Sequence, residues 1–250
     1  MSIKGMDDVT GHNVARYQQP RFFLFRGERQ LFDHLLQPGM RVLDLGCGSG
    51  RVSKYPLQRG ARVLGCDLSR TALRELQENL SAQTGLWISQ GDARHLPFKD
   101  RSFHAVIFAF AGIDFIYPEA GRVAALREIE RVLLPGGYFI MSSHNPLGTL
   151  LSPRGFRSWR GCRWRGQYLI SGAWRKPYFR DYGGIRLYQA LPHKVIQQVT
   201  IQTRMRFCFA LSRSGSVTSL PLLSMLSAGP YYVFVRRGPY AGGQESLPPL

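Results

Sequence analysis

The chain has 250 residues, 44% of them hydrophobic, and carries 33 Lys and Arg against 16 Asp and Glu, a net charge of +17. That length suits one large hydrophobic core. No apolar run approaches the 18 or so residues of a membrane span, and MSIKGMDDVT has no apolar signal core. Cys47, Cys66, Cys162 and Cys208 lack CxxC spacing, which argues against a metal site and suits reduced thiols in a cytoplasmic protein.

Residues 12–36 carry Phe22, Phe25, Leu31, Phe32, Leu35 and Leu36 at spacings that predict one or two helices, broken near Pro20 and stopped by Pro38-Gly39. Residues 1–40 therefore read as a helical arm. VLDLGCGSG, Val42 to Gly50, follows. Four residues read as a buried strand, and Gly46, Gly48 and Gly50 then give a tight turn that a ligand can approach closely. A helix opening near Ser49 would point unpartnered N–H groups at that ligand. The pattern alone also suits a nicotinamide-binding fold.

VLGCDLS predicts a second strand ending in Asp67, 19 residues after Gly48. An acid there can accept from both hydroxyls of a ribose. A third apolar run, Leu86 to Ser89, leads into QGDARHLPF, with an acid at Asp92. Asp44, inside the first strand, would repel a pyrophosphate but suits a ligand carrying ammonium and sulfonium centres. Ser69 predicts the cap of a helix from Arg70 to about Leu80. Another helix is predicted from about Pro118 to Leu134, with Leu126, Ile129, Val132 and Leu133 as its buried stripe and Pro135-Gly136-Gly137 as its stop. Strands alternating with helices predict a parallel sheet covered on both faces.

Composition changes after Asn145. Residues 146–190 interleave arginines with aromatics, among them Trp159, Trp164, Trp174 and Tyr178. They read as an inserted lid between the fifth and sixth strands. Strand-like runs at Val199–Leu211 and Tyr231–Arg237 place sheet-completing strands in residues 191–240, and residues 241–250 read as a disordered tail. Residues 146–250 hold 15 Lys and Arg against 2 acids, and residues 1–145 hold 18 against 14. The basic half fits three partners: solvent alone, an acidic small molecule, or a nucleic acid. No RNA-binding module signature accompanies it.

VLDLGCGSG, VLGCDLS, QGDARHLPF, SFHAVIFAFAGIDFI and LREIERVLLPGGYFIMSSHN occur in that order between Arg41 and Asn145. Together they resemble the class I S-adenosylmethionine-dependent methyltransferases of the small-molecule type. The resemblance implies an α/β Rossmann-like, doubly wound, seven-stranded, mostly parallel sheet, with the cofactor-binding core at residues 41–145. It implies that S-adenosylmethionine meets Asp44, Gly46, Cys47 and Gly48 at its methionine end. Asp67 and Leu68 would meet the ribose, Asp92 and Ala93 the adenine, and Phe108, Ala109 and Phe110 would line the rest. Tyr17 would fold over the cofactor from the arm. The chain departs from the pattern at His104, usually Asp, and at Ala111, often polar. The implied activity is methyl transfer to an O, N or C atom of a small acceptor, an acidic one among the options; the alternative is an RNA methyltransferase using the basic half.

In such a domain catalysis is chiefly positioning, with a base needed only for an acceptor protonated at neutral pH. Asp114 and His144 stand after adjacent strands and are the candidate catalytic residues; a turn residue and a backbone contact are their plain alternatives. Trp159, Trp164, Trp174 and Tyr178 are the candidate acceptor-binding residues; the alternative is a small core that holds the insertion together.

Overall fold

The computed structural model describes residues 23–151, 159–180, 186–215, 217–218 and 227–238. Tyr17, the first part of the arm and the tail at 241–250 lie outside them. Helix α1 (Arg26–Leu35) buries Leu31, Phe32 and Leu35. The chain then runs through β1 (Arg41–Leu45), α2 (Lys54–Gln58), β2 (Arg62–Asp67), α3 (Arg70–Asn79), β3 (Leu86–Gln90) and β4 (Phe103–Phe108). A 3-10 turn (Gly112–Phe115), α4 (Glu119–Val132) and β5 (Leu133–Ser142) follow. The insertion comprises α5 (Pro146–Leu151), α6 (Trp159–Ile170), a second 3-10 turn (Ala173–Arg175), β6 (Tyr178–Arg180) and β7 (Arg186–Tyr188). The chain closes with α7 (Pro192–Gln202), β8 (Met205–Leu211), β9 (Val217–Thr218) and β10 (Tyr231–Arg236).

The main sheet has the order β3-β2-β1-β4-β5-β10-β8, with the two-residue β9 added at its edge. Strands β1 to β5 pair in parallel, and β10 is antiparallel to both β5 and β8. The carboxyl ends of β1, β2, β3, β4, β5 and β8 therefore share one edge. This is the seven-stranded, doubly wound sheet that the motifs predict. One face packs Leu126 and Ile129 of α4 and Val195 and Val199 of α7 against Val106 and Phe139. The other packs Leu31 and Phe32 of α1 and Leu73 and Leu76 of α3 against Val63 and Ile107. β4 serves both faces by alternation: Val106 and Phe108 point one way, Ala105 and Ile107 the other.

Several boundaries differ from the sequence reading. No helix opens at Ser49; the chain turns until α2 begins at Lys54. Pro135-Gly136-Gly137 does not follow a helix running to Leu134. The helix ends at Val132, and the triplet lies inside β5, where the pairing with β4 shifts register between Phe103 and Ala105. A Cβ on Gly137 would sit 3.0 Å from the His104 carbonyl oxygen, so strand continuity requires glycine there. Val199 to Gln202 ends a helix rather than starting a strand. The Ser69 cap is as predicted, its hydroxyl accepting from the Ala72 N–H at 3.2 Å. The insertion has its own small cluster, in which Leu150, Ala173 and Trp174 pack against Tyr168 and Leu187.

Candidate active site

The glycine turn is fastened to the end of β2, because the Gly46 and Cys47 N–H groups donate to the Cys66 carbonyl at 2.7 and 3.2 Å. Gly46 and Gly48 have φ of 65° and 53°, a region costly to residues with side chains. A Cβ on Gly46 would lie 2.9 Å from the Phe108 ring, whereas a Cβ on Gly48 would meet nothing within 4 Å. The turn is therefore packed from below at Gly46 and open at Gly48. Asp67 closes the adjacent corner. Its Oδ2 accepts from the Gly48 N–H at 2.9 Å and its Oδ1 from the Ser69 N–H at 2.9 Å. Each oxygen retains a further acceptor position. Leu68 is partly exposed beside it, and Cys47 is buried.

Asp44 is buried, with the Ser53 hydroxyl donating to its Oδ2 at 2.6 Å. Burial pushes its carboxyl up to about 7, against the lowering effects of Ser53 and Arg51. Asp92 behaves differently. Its partial burial favours the neutral form, but hydrogen bonds from the Arg94 guanidinium and N–H outweigh that and hold it below its usual range. Arg94 grips the carboxylate through Nε at 2.9 and 3.0 Å and Nη2 at 2.5 Å. An adenine amino group would share that carboxylate with Arg94. Ala93 is buried next to it, as are Phe108 and Ala109. Phe110 is partly exposed with φ 54°, stacked on Phe25 at 6.4 Å between centroids. The open backbone at Gly48, the spare acceptor positions of Asp67 and a poised acid at Asp44 fit S-adenosylmethionine.

Asp114 and His144 meet. The Asp114 carboxylate is fully buried, and its Oδ2 lies 2.8 Å from His144 Nδ1 and accepts from the His144 N–H at 2.7 Å. Its Oδ1 accepts from the Ser143 hydroxyl at 2.8 Å and from Arg122 Nη1 at 3.3 Å. Arg122 is itself buried, lies 3.6 Å over the Tyr188 ring, and donates to the Ile113 carbonyl and to Gln198 at 2.8 and 2.9 Å. The His144 side chain is 29% exposed, so one end of this chain of groups reaches the surface of the site. Ala111 has φ 59°, and its N–H donates to Ser142 Oγ at 2.7 Å, which ties the Phe110 loop to the end of β5. His104, the other departure from the family pattern, lies elsewhere and accepts from the Arg41 N–H at 3.0 Å.

Of the four proposed acceptor residues, the structure describes the side chains of Trp174 and Tyr178. Trp174 is in the insertion's own cluster, with the Arg175 guanidinium 4.7 Å above its ring. Tyr178 packs between Tyr117 and Tyr188 at 5.2 and 5.4 Å, and its buried hydroxyl has no hydrogen-bond partner among the described residues. Trp159 and Trp164 belong to α6; their side chains lie outside the described residues.

Sequence reasoning missed Arg122, Ser143, Arg51 and Glu28. Arg122 had a signal: it lies four residues before Leu126 and seven before Ile129, on the helix's apolar face. An arginine there needs a buried partner. Glu28 is likewise on the buried face of α1, where it accepts from Arg51 at 2.7 and 2.6 Å and from the Tyr231 hydroxyl at 2.6 Å.

Residues 42–137 match the model of a methyltransferase domain. The chain is 39% identical over 116 residues to the demethylmenaquinone methyltransferase of Thermobifida fusca, covering 45% of this chain and 48% of that one. It is 36% identical over 110 residues to the fatty-acid O-methyltransferase of Mycolicibacterium smegmatis, covering 43% and 38%. The matches thus span less than half the length of these relatives. A methyltransferase structure from Methanosarcina mazei superposes with a TM-score of 0.62 at 19% identity, covering 83% of this chain and 97% of that one. The Burkholderia thailandensis 1,6-didemethyltoxoflavin-N1-methyltransferase, solved with S-adenosylhomocysteine, also gives 0.62, at 16% identity and 93% and 87% coverage. With the sheet order and the glycine-turn geometry, these findings show a methyltransferase domain at residues 42–137, on the fold of the class I S-adenosylmethionine-dependent methyltransferases.

Proposed function

We propose that the protein methylates an oxygen, or a protonated nitrogen, of a small acceptor, with His144 as the base. The observation that carries this reading is the 2.8 Å contact between His144 Nδ1 and the buried Asp114 carboxylate. A carboxylate accepts, so Nδ1 donates, and Nε2 is then the basic nitrogen of the ring. Arg122 and Ser143 fix the carboxylate from behind, so the imidazole's tautomer and orientation are set before any acceptor arrives. Asp44, the turn from Gly46 to Gly48 and Asp67 would hold S-adenosylmethionine. When bound, that cofactor supplies an electrophilic methyl group. His144 would take one proton from the attacking atom as that atom's bond to the methyl carbon forms and the methyl's bond to sulfur breaks, which would leave S-adenosylhomocysteine as the neutral thioether.

The relatives support a small acceptor by their names, which speak of demethylmenaquinone and of fatty acids. Supporting the oxygen or nitrogen reading is the dyad itself, since an acceptor already deprotonated would not need it. The test is a methyl-transfer assay on a panel of phenols, carboxylic acids and heteroaromatic N–H compounds, following S-adenosylhomocysteine release. For any compound turned over, His144→Ala should lower kcat about a hundredfold or more and leave S-adenosylhomocysteine affinity within about twofold. An unchanged kcat in His144→Ala would assign the dyad a structural role.

A further inference from the structure

Two arginines flank one aromatic pair at the carboxyl edge of the sheet. The Arg51 guanidinium lies 5.8 Å from the Phe25 centroid and 5.2 Å from that of Phe110. Arg213 lies 4.9 and 5.5 Å from the same two rings. The two charges are not equally matched. Arg51 is bidentate on the buried Glu28, which also receives the Tyr231 hydroxyl. Arg213 makes no ion pair among the described residues, and its buried Nε has no hydrogen-bond partner.

The position of Arg213 is built rather than incidental. It is two residues past the end of β8, on the edge shared by the ends of β1, β4 and β5. Its carbonyl accepts from the Gly27 N–H at 3.1 Å, which docks it onto the start of α1. On the other side, Gly229 makes room for the guanidinium: a Cβ there would fall 2.7 Å from Nη2. A solvated surface arginine needs neither a cleared neighbour nor an aromatic floor. A buried donor without an acceptor is costly, and an incoming anion removes that cost.

We infer that Arg213, on the Phe25–Phe110 floor and beside the already neutralised Arg51, is the seat for a carboxylate of a ligand bound at this edge. The inference rests on the methyltransferase reading for the identity of the ligands: the carboxylate is either that of the cofactor's amino-acid end or that of an acidic acceptor. The planar fork of a guanidinium matches a carboxylate with two hydrogen bonds, a geometry lysine cannot copy.

Equilibrium titrations of the whole chain decide it, using two pairs of probes that differ in a carboxylate. One pair is S-adenosylhomocysteine and its decarboxylated analogue. The other is decanoate and decanol, titrated with and without saturating S-adenosylhomocysteine. Arg213→Gln should weaken one carboxylate probe roughly tenfold or more and leave its uncharged counterpart within twofold. Arg213→Lys should recover only part of the loss. Arg62→Gln, at the far end of β2, controls for net charge. A loss confined to S-adenosylhomocysteine assigns the seat to the cofactor; a loss confined to decanoate assigns it to the acceptor. The seat is overturned if Arg213→Gln changes neither pair, or if the wild type favours neither carboxylate over its counterpart. Failure of the wild type to bind S-adenosylhomocysteine would instead contradict the methyltransferase reading, and the decanoate arm run without cofactor would still decide the seat.

Discussion

Asp44 and Asp114 are both buried carboxyls a few residues from the same edge, yet their surroundings differ. Asp114 has a guanidinium, a hydroxyl, an N–H and an imidazole around it. Asp44 receives one hydroxyl, and burial pushes its carboxyl up to about 7. A carboxyl raised in the folded state binds its proton more tightly there than in the unfolded chain. Folding is then favoured at acid pH, and that contribution is lost as pH rises from the ordinary carboxyl range through about 7. The ligand-free protein should therefore lose stability between about pH 4 and 7 by up to a few kcal/mol, and Asp44→Asn should lose less. Melting curves of the two proteins across that range check it; parallel curves would contradict the burial of an uncompensated acid. A cationic ligand favours the ionised form, so S-adenosylmethionine should bind the wild type more tightly as pH rises through about 7. Calorimetry in buffers of differing ionisation heat should show proton release that Asp44→Asn lacks. At Asp114 the expected change is in stability. Asp114→Asn leaves Arg122 buried without its anion, a loss of about 3–5 kcal/mol. Thermal unfolding would measure it, and a variant as stable as the wild type would show that the pair contributes little.

At the scale of elements, the insertion was legible as an interruption and illegible inside. The interruption itself follows from composition, because Arg-rich aromatic sequence replaces the alternation of strand and helix. Its helices and the β6–β7 hairpin did not, because arginines recur so often that no clean apolar stripe emerges. Trp174, expected at the acceptor, packs with Tyr168 and Leu187 instead. Trp174→Ala should therefore lower the melting temperature by roughly 3–8 °C, as about 1–2 kcal/mol does in a chain of this size. S-adenosylhomocysteine affinity should be retained. A variant that melts like the wild type but turns over poorly would return Trp174 to the acceptor pocket. The misread end of α4 has a similar cause. Pro-Gly-Gly is a helix-stop signal, and here the same residues make an irregular strand start. Leu133 pairs with Phe103, and Gly137 is forced close to the His104 carbonyl. Local chemistry identified the punctuation; only the neighbouring strand decides which element it punctuates.

Across the whole molecule, the glycine turn and the acid beside it were readable because they are local. Gly46, Gly48 and Asp67 lie at fixed offsets from strand ends, and the fold brings them together with a hydrogen bond from Gly48 to Asp67. The buried polar contacts behind the candidate site were less readable because their members are distant in sequence. Arg122 meets Gln198 across 76 positions, and Tyr231 meets Glu28 across 203. No spacing rule encodes such pairs. Charge adds a constraint at this scale, since residues 146–250 hold 15 Lys and Arg against 2 acids. If that half serves an acidic small molecule, RNA binding should be weak and non-specific and should fall steeply with salt. A sequence-selective affinity for RNA that survives about 200 mM salt would favour the RNA methyltransferase reading. The most direct test of the account is a calorimetric titration of S-adenosylhomocysteine into the wild type and Asp67→Asn. The wild type should bind in the micromolar range, about −8 kcal/mol, and the variant roughly tenfold more weakly, as expected when a charged acceptor is lost. A folded wild type that gives no heat with S-adenosylhomocysteine, or a variant that binds as tightly, would contradict it.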